Sequence, residues 1–420
     1  MPPRTALDPV TVLDLTAPLE AVDAEHARRY PGRPTGRQPV HTCYLPAGGF
    51  GLDTVQRWGE RALSALRRHA ATPAELADVT GLSVDLAEAI ESRLVTKLTE
   101  EPIEDLRLDF EDGYGTPGDI VEDADAERSA AALAARHRDG LGPAGLGLRI
   151  KSLDGKESRD RAIRTLDVFL CALLDGVGGE LPPGFAVTVP KVTYPAQVEV
   201  CVELFEVLED RLGLSPATLR FEIQIETTQS IVDGGGVVTI PGLLAAGKGR
   251  ISGLHFGPYD YTAACGLPAG SQNLGHPACD FARQIMQVVA AGTGVRVADG
   301  GTNVLPVGDA ESVRHGWRVH AANVRRALDH GFYQGWDVHP HQLVTRFAVV
   351  QGYYLAGAPD AARRIASYTG GTTAGAVADE PASIAVLASF LLRALDCGAY
   401  SVAELAGATS LTVAGLRNLT

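Results

Sequence analysis

The sequence predicts an α/β fold, a (β/α)8 TIM barrel with a helical insertion after the first strand and a C-terminal helical extension. Three observations carry this. Eight short β-rich runs recur along the 420 residues, helix-like segments separate most of them, and ionisable residues gather where the runs end. Strands alternating with helices are the pattern of parallel βα units. Barrels of this kind build their sites at the C-terminal ends of the strands.

In order, residues 1–36 read as an N-terminal extension, 37–356 as the barrel and 357–420 as a helical lid or oligomer-contact region. The candidate strands are "VHTCYLP" (40–46), "DLRLDFED" (105–112), "GLGLRI" (145–150), "FAVTVPKV" (185–192), "RFEIQIET" (220–227), "ISGLHFG" (251–257), "VRVADGG" (295–301) and "YQGWDVHP" (333–340). Between them, segments such as "DADAERSAAALAARHRDG" and "PAQVEVCVELFEVLEDRLG" carry apolar residues at helical spacing and stop near glycine. Residues 50–104 exceed a minimal barrel and form the helical insertion. After the last strand come further helices and a joint, "TGGTTAGAVADEP", expected to be flexible. An open doubly wound sheet is the alternative, but no GxGxxG follows the first strand.

Composition narrows the function. An apolar fraction of 45% and a charged fraction of 21% describe a globular chain, and a net charge of −14 argues against nucleic-acid or anionic-membrane partners. The six cysteines, at 43, 171, 201, 265, 279 and 397, lack CxxC spacing, so free thiols in a reducing cytoplasm are expected. The N-terminus shows no basic region followed by an apolar run, and the longest apolar window, "ASIAVLASFLL", is too short to span a bilayer.

The strand ends then deserve inspection for chemistry. They supply Asp109, Glu111 and Asp112, then Arg149, Lys191, Glu226, Asp299 and His339, with Asp260 just beyond the "FGP" turn. Singly, each has an ordinary role as a helix cap, an ion-pair partner or a hydrogen-bonded histidine. Together the carboxylates repel one another unless a cation joins them. A hard divalent ion with oxygen ligands does so, which points to Mg²⁺ or Mn²⁺ on Glu226 and Asp260. Arg149 suits a substrate carboxylate, and the turn residues Gly257 and Pro258 are candidate substrate contacts. Lys191 is a candidate catalytic residue, and a Schiff-base nucleophile in an alternative reading. A non-catalytic barrel that binds a metabolite or a partner protein is a further alternative. Asp360, His255 and His339 are open choices for a general base.

The ordered motifs "RLDFEDGYG", "LRIKS", "VPKV", "IQIETTQSI", "LHFGPYDYT" and "GFYQGWDVHPHQL" resemble the citrate lyase beta-subunit-like proteins of the HpcH/HpaI aldolase superfamily, over roughly residues 37–350. The insertions mark an outlying branch, and "RIKS" departs from the family's Arg-x-Asn. The resemblance implies a TIM barrel with a divalent metal on Glu226 and Asp260. It implies that Arg149 meets the substrate carboxylate or carbonyl and that Glu111 and Asp112 order water beside the metal. The expected activity is a carbon-carbon lyase or aldolase acting through a metal-stabilised enolate. Its substrate would be a 2-oxo acid, a hydroxy dicarboxylate or a hydroxyacyl-CoA. A homo-oligomer is expected. On the fifth strand, Glu226 should reach the metal while Glu222, nearer the bottom, should sit in a structural ion pair.

Overall fold

The computed structural model describes residues 5–32, 36–370, 379–409 and 411–420. Residues 371–378 of the expected joint, and 1–4 and 33–35 of the N-terminal extension, lie outside them. The eight strands are β1 (His41–Pro46), β2 (Asp105–Asp109), β3 (Gly145–Arg149), β4 (Phe185–Val189), β5 (Phe221–Ile225), β6 (Ile251–Phe256), β7 (Arg296–Ala298) and β8 (Gly335–Asp337). All pair in parallel in the order β7-β6-β5-β4-β3-β2-β1-β8. A parallel bridge between Ala298 and Gln334 brings the two edges together, which makes a nearly closed (β/α)8 barrel.

Each strand lies inside its sequence-predicted run, and all but β1 stop short of the run's end. The residues left over, such as Phe110–Asp112 and Pro190–Val192, start the loops that hold the candidate site. Proline at 190 has no N–H for a ladder, and Lys191 adopts φ 54°, so the β4 run leaves the sheet there.

Both faces of β5 are buried. Phe221 meets Phe205 of the helix Pro195–Leu212 with ring centroids 5.5 Å apart, so the apolar side faces the helices. The polar side faces the interior, where the Arg107 Nη2 donates to Glu222 at 2.9 Å. Arg107 also pairs with Asp105, and Glu222 with His255 Nε2 at 3.3 Å. Glu222 therefore stands in a buried ion-pair layer at the lower end of the barrel.

The insertion folds as helices Thr54–His69, Pro73–Thr80 and Val84–Glu100. Thr72 and Glu75 form a reciprocal capping box that starts the second, and Gly81 at φ 71° ends it. The third buries Ala87, Ile90, Leu94 and Leu98, spaced three and four apart, and so supplies an apolar stripe for packing against neighbouring helices. After β8 the helix Gln342–Thr369 packs on the insertion, and its far end shares a second small core with helices Pro381–Asp396, Val402–Thr409 and Val413–Arg417.

That tail lies near the N-terminal ends of the strands. Arg393 sits 5.0 Å over the ring of Tyr333, which precedes β8, and Glu404 pairs with Arg93 at 2.5 Å. The tail helices Pro381–Asp396 and Val402–Thr409 pack on the helix Gln342–Thr369. Among the described residues, no helix is long and apolar enough to cross a membrane.

Candidate active site

The C-terminal ends of β2 to β6 converge on one acidic cluster with two cations. Arg149 ends β3 directly opposite Asp109 at the end of β2. Its Nε and Nη2 donate to the two Asp109 oxygens, each at 2.7 Å. The guanidinium fork is thus held by a protein carboxylate. What remains is Nη1, which lies 3.2 Å from Glu111 Oε2 and 3.5 Å from Gln224 Oε1. Tyr44 flanks the guanidinium, its ring centroid 4.8 Å away. Asp109 also accepts the backbone N–H groups of Glu111 at 3.0 Å and Gly113 at 2.9 Å, so it fixes both the arginine and the loop after β2.

Lys191 ties the loops together. Its backbone N–H donates to Glu226 Oε1 at 2.7 Å, and its ammonium meets Glu111, Asp112 at 3.2 Å and Asp260 at 3.6 Å. The left-handed backbone costs a non-glycine residue about 1 kcal/mol or more. Such strain is held where the surroundings over-determine it, and here it turns one residue's N–H and ammonium onto four carboxylates. Burial works against the ammonium, but Glu226 and Glu111 outweigh it and hold Lys191 above the ordinary lysine range.

Glu226, just past β5, is 3% exposed. Burial, reinforced by Asp260 and Glu111 and opposed by Lys191 and Arg149, pushes its carboxyl up to about 7. Gly257, after β6, makes room for it, because a Cβ there would collide with the Glu226 carboxylate. Pro258 then starts the short helix Pro258–Ala264, which carries Asp260 in its first turn, half exposed. Burial raises the Glu111 carboxyl against the pull of Arg149 and Lys191, while at Asp112 the attraction of Lys191 overcomes burial and lowers it.

The structure therefore brings together Arg149, Glu111, Asp112, Lys191, Glu226 and Asp260, with Gly257 and Pro258 as the turn beside them. Other sequence candidates lie elsewhere. Asp299 pairs with Arg283 at 2.8 Å, and Asp360 pairs with Arg363 and Arg364 on the tail. His255 Nδ1 accepts from Trp336 at 3.1 Å deep in the barrel. His339 is surrounded by Arg61 and His341, and burial with those charges lowers it to about 4. Sequence reasoning assigned no role to Asp109, Gln224 or Tyr44. The signal for Asp109 was present, since Asp109 and Arg149 both stand near the ends of neighbouring predicted strands.

Among the described residues, one set of three possible ligands lies close together: His41, Cys43 and Asp337. It faces the outer helix, where Asp337 already accepts from His41 Nδ1 at 2.7 Å, His320 Nε2 at 3.0 Å and Arg346 Nε at 3.0 Å. That carboxylate is satisfied by the protein, and the set reads as a buried polar tie between β1, β8 and the helix Gln342–Thr369.

The fold and cluster define a TIM barrel with an acidic, cation-bridged centre at its C-terminal mouth. The chain belongs to the family described as Domain of unknown function (DUF6986), whose model matches residues 19–420. No curated protein matches it. Among solved structures, a citrate lyase from Burkholderia xenovorans LB400 is similar at 18% identity and TM-score 0.56, covering 90% of this chain and 97% of that one. A magnesium/glyoxylate complex of Haloferax volcanii malate synthase aligns at 18% identity and TM-score 0.46, covering 75% of this chain and 76% of that one. An HpcH/HpaI aldolase/citrate lyase family protein from Burkholderia cenocepacia J2315 aligns at 14% and 0.41, covering 77% and 95%. The citrate lyase supports the barrel architecture across nearly the whole chain.

Proposed function

We propose that this protein is a divalent-metal-dependent carbon-carbon lyase or aldolase. Its substrate is a 2-oxo acid, a hydroxy dicarboxylate or a hydroxyacyl-CoA. The observation that carries the reading is the buried Glu226 carboxyl, pushed up to about 7 beside Asp260 and Glu111 at the mouth of the barrel. A cluster short of positive charge is what a hard cation relieves. The donors fit Mg²⁺ or Mn²⁺: Glu226 and Asp260 offer carboxylate oxygens only, on a rigid strand end and a half-exposed turn. The citrate lyase that shares the fold is in keeping with this chemistry.

When bound, the ion supplies Lewis-acid stabilisation of negative charge developing on a substrate oxygen. The chain's own groups do the rest. Arg149, fixed by Asp109, would offer an N–H of its Nη1 amino group to a substrate carbonyl oxygen, and Lys191 holds Glu111 and Asp112 at the rim. A Schiff base on Lys191 needs a neutral amine, which the surrounding carboxylates oppose.

Calorimetry tests the metal assignment. Wild type should bind Mg²⁺ more tightly in the presence of oxalate, EDTA should remove it, and Glu226→Gln should not bind it measurably. Equal affinity in wild type and Glu226→Gln would overturn the assignment.

A further inference from the structure

The mouth of the barrel has a second polar corner, two strands round the wall from β6. His339 follows β8 by two residues, and the helix Thr54–His69, which follows the neighbouring β1, brings Arg61 against it. By strand spacing this corner stands about 10 Å from the end of β6, where Asp260 lies. Its charge is the opposite of the acidic cluster's. The charged side chains that act most strongly on His339 and His341 are cations, Arg61 on both and Arg68 on the second. Among the described residues no carboxylate lies within ion-pairing distance of Arg61, in a chain whose net charge is −14.

The loop that carries the histidines is fixed by its own hydrogen bonds. Gln342 Oε1 accepts the N–H groups of Val338 at 2.9 Å and His339 at 3.1 Å, and its Nε2 donates to the Thr302 carbonyl at 2.9 Å. His341 Nδ1 donates to the Pro306 carbonyl at 2.8 Å. The His341 backbone N–H donates to His339 Nδ1 at 3.2 Å, so that nitrogen carries no proton. Burial, His341 and Arg61 lower His339 to about 4 and keep its ring neutral at pH 7. A neutral ring bears one proton, which is therefore on Nε2. His339 Nε2 lies 3.4 Å from Arg61 Nη2, and a guanidinium has donors only. Two N–H donors face one another, with no acceptor between them among the described residues. One oxygen beside the pair, about 2.9 Å from each nitrogen, would satisfy both, and a negatively charged one would also settle Arg61.

We infer that Arg61 and His339 form an oxyanion subsite that takes a carboxylate or phosphate group of the substrate. For the substrate this rests on the function proposed above: a molecule held both by the acidic cluster and by this corner carries a second anionic group away from its reacting carbons. That favours substrates with two anionic ends over a 2-oxo acid with an uncharged tail.

NMR of isotope-labelled histidine rings tests the subsite on the full chain in EDTA, with His339 assigned from the signal lost in His339→Gln. Inorganic phosphate and malonate are the probes. The His339 signal should shift saturably, and its titration midpoint should rise when the anion is bound, because an anion beside the ring favours the imidazolium. Arg61→Gln should bind the anion at least about tenfold more weakly, since a charge-assisted hydrogen bond is lost, with circular dichroism unchanged because Arg61 is exposed. Tighter binding of phosphate supports a phosphate-bearing substrate, and tighter binding of malonate a carboxylate. Glu226→Gln should bind either anion as wild type does, so a failure of the metal assignment leaves this signal in place. A His339 signal that neither anion shifts saturably, or equal affinity in wild type and Arg61→Gln, overturns the subsite.

Discussion

Replacing Glu226 by glutamine should make the metal-free protein more stable at neutral pH, although it removes a residue of the candidate site. The Glu226 carboxyl rises from 4.5 to about 7 on folding. Each tenfold change in proton affinity is worth about 1.4 kcal/mol, so at pH 8 the folded state gives up roughly 3 kcal/mol to hold this group ionised. The sign follows from the direction of the rise. Below 4.5 the carboxyl is protonated in both states and costs nothing; the cost grows as the pH climbs towards about 7 and is complete above it. Glutamine keeps an oxygen for the Lys191 N–H, which donates at 2.7 Å, and carries no charge. Urea unfolding in EDTA should therefore show Glu226→Gln more stable than wild type by about 3 kcal/mol at pH 8 and nearly equal to it at pH 4.5. Saturating Mg²⁺ should reverse the ranking, since a ligand at a thousand times its dissociation constant adds about 4.1 kcal/mol to wild type alone. A pH-independent difference, or a destabilised variant at pH 8, would refute the account of a charge-deficient site.

Four further outcomes follow from the same geometry. Gly257→Ala should displace the Glu226 carboxylate and abolish Mg²⁺ binding by calorimetry, at a stability cost of about 1–3 kcal/mol. Arg149→Lys should lose the fork on buried Asp109 and lower stability by about 3 kcal/mol in thermal melts, an effect that Asp109→Asn should not add to. Asp337→Asn should cost about 3–5 kcal/mol at neutral pH, because it unpairs Arg346 and two histidines. Burial opposes the Asp337 charge but Arg346 and the histidines win, so its contribution is present above 3.8 and is lost only as the pH falls through the lower folded value. Borohydride with pyruvate should leave Lys191 unlabelled by mass spectrometry; labelling would favour the Schiff-base reading.

The strands were legible because each one is a short apolar or alternating run, and parallel strands buried on both sides need that composition. Their ends were not, because the residues after β2 and β4 continue the run's composition while the chain turns away at Glu111 and at the left-handed Lys191. That Glu226 and Asp260 lie at the barrel mouth was legible from position, since a barrel presents the loops after its strands there. The pairing of Arg149 with Asp109 was missed because it depends on the cross-strand register, in which the two residues stand opposite one another. The position of the tail depends on long-range packing that no local pattern encodes.

The two interior glutamates of β5 show why position in the barrel, and not residue type, decides the work a carboxylate does. Glu222 and Glu226 lie four residues apart on one face, about 13 Å along the strand. Burial works against both charges. At Glu222, Arg107 and His255 reverse it and hold the carboxyl below the ordinary range. At Glu226 the two nearest cations are shared with Glu111, Asp112 and Asp109, so burial prevails and the carboxyl rises to about 7. A glutamate that only ties a barrel together is given enough positive charge to settle it. One left short, in a chain that already spends a strained lysine and an arginine on the same cluster, is the group whose charge the proposed divalent ion would settle.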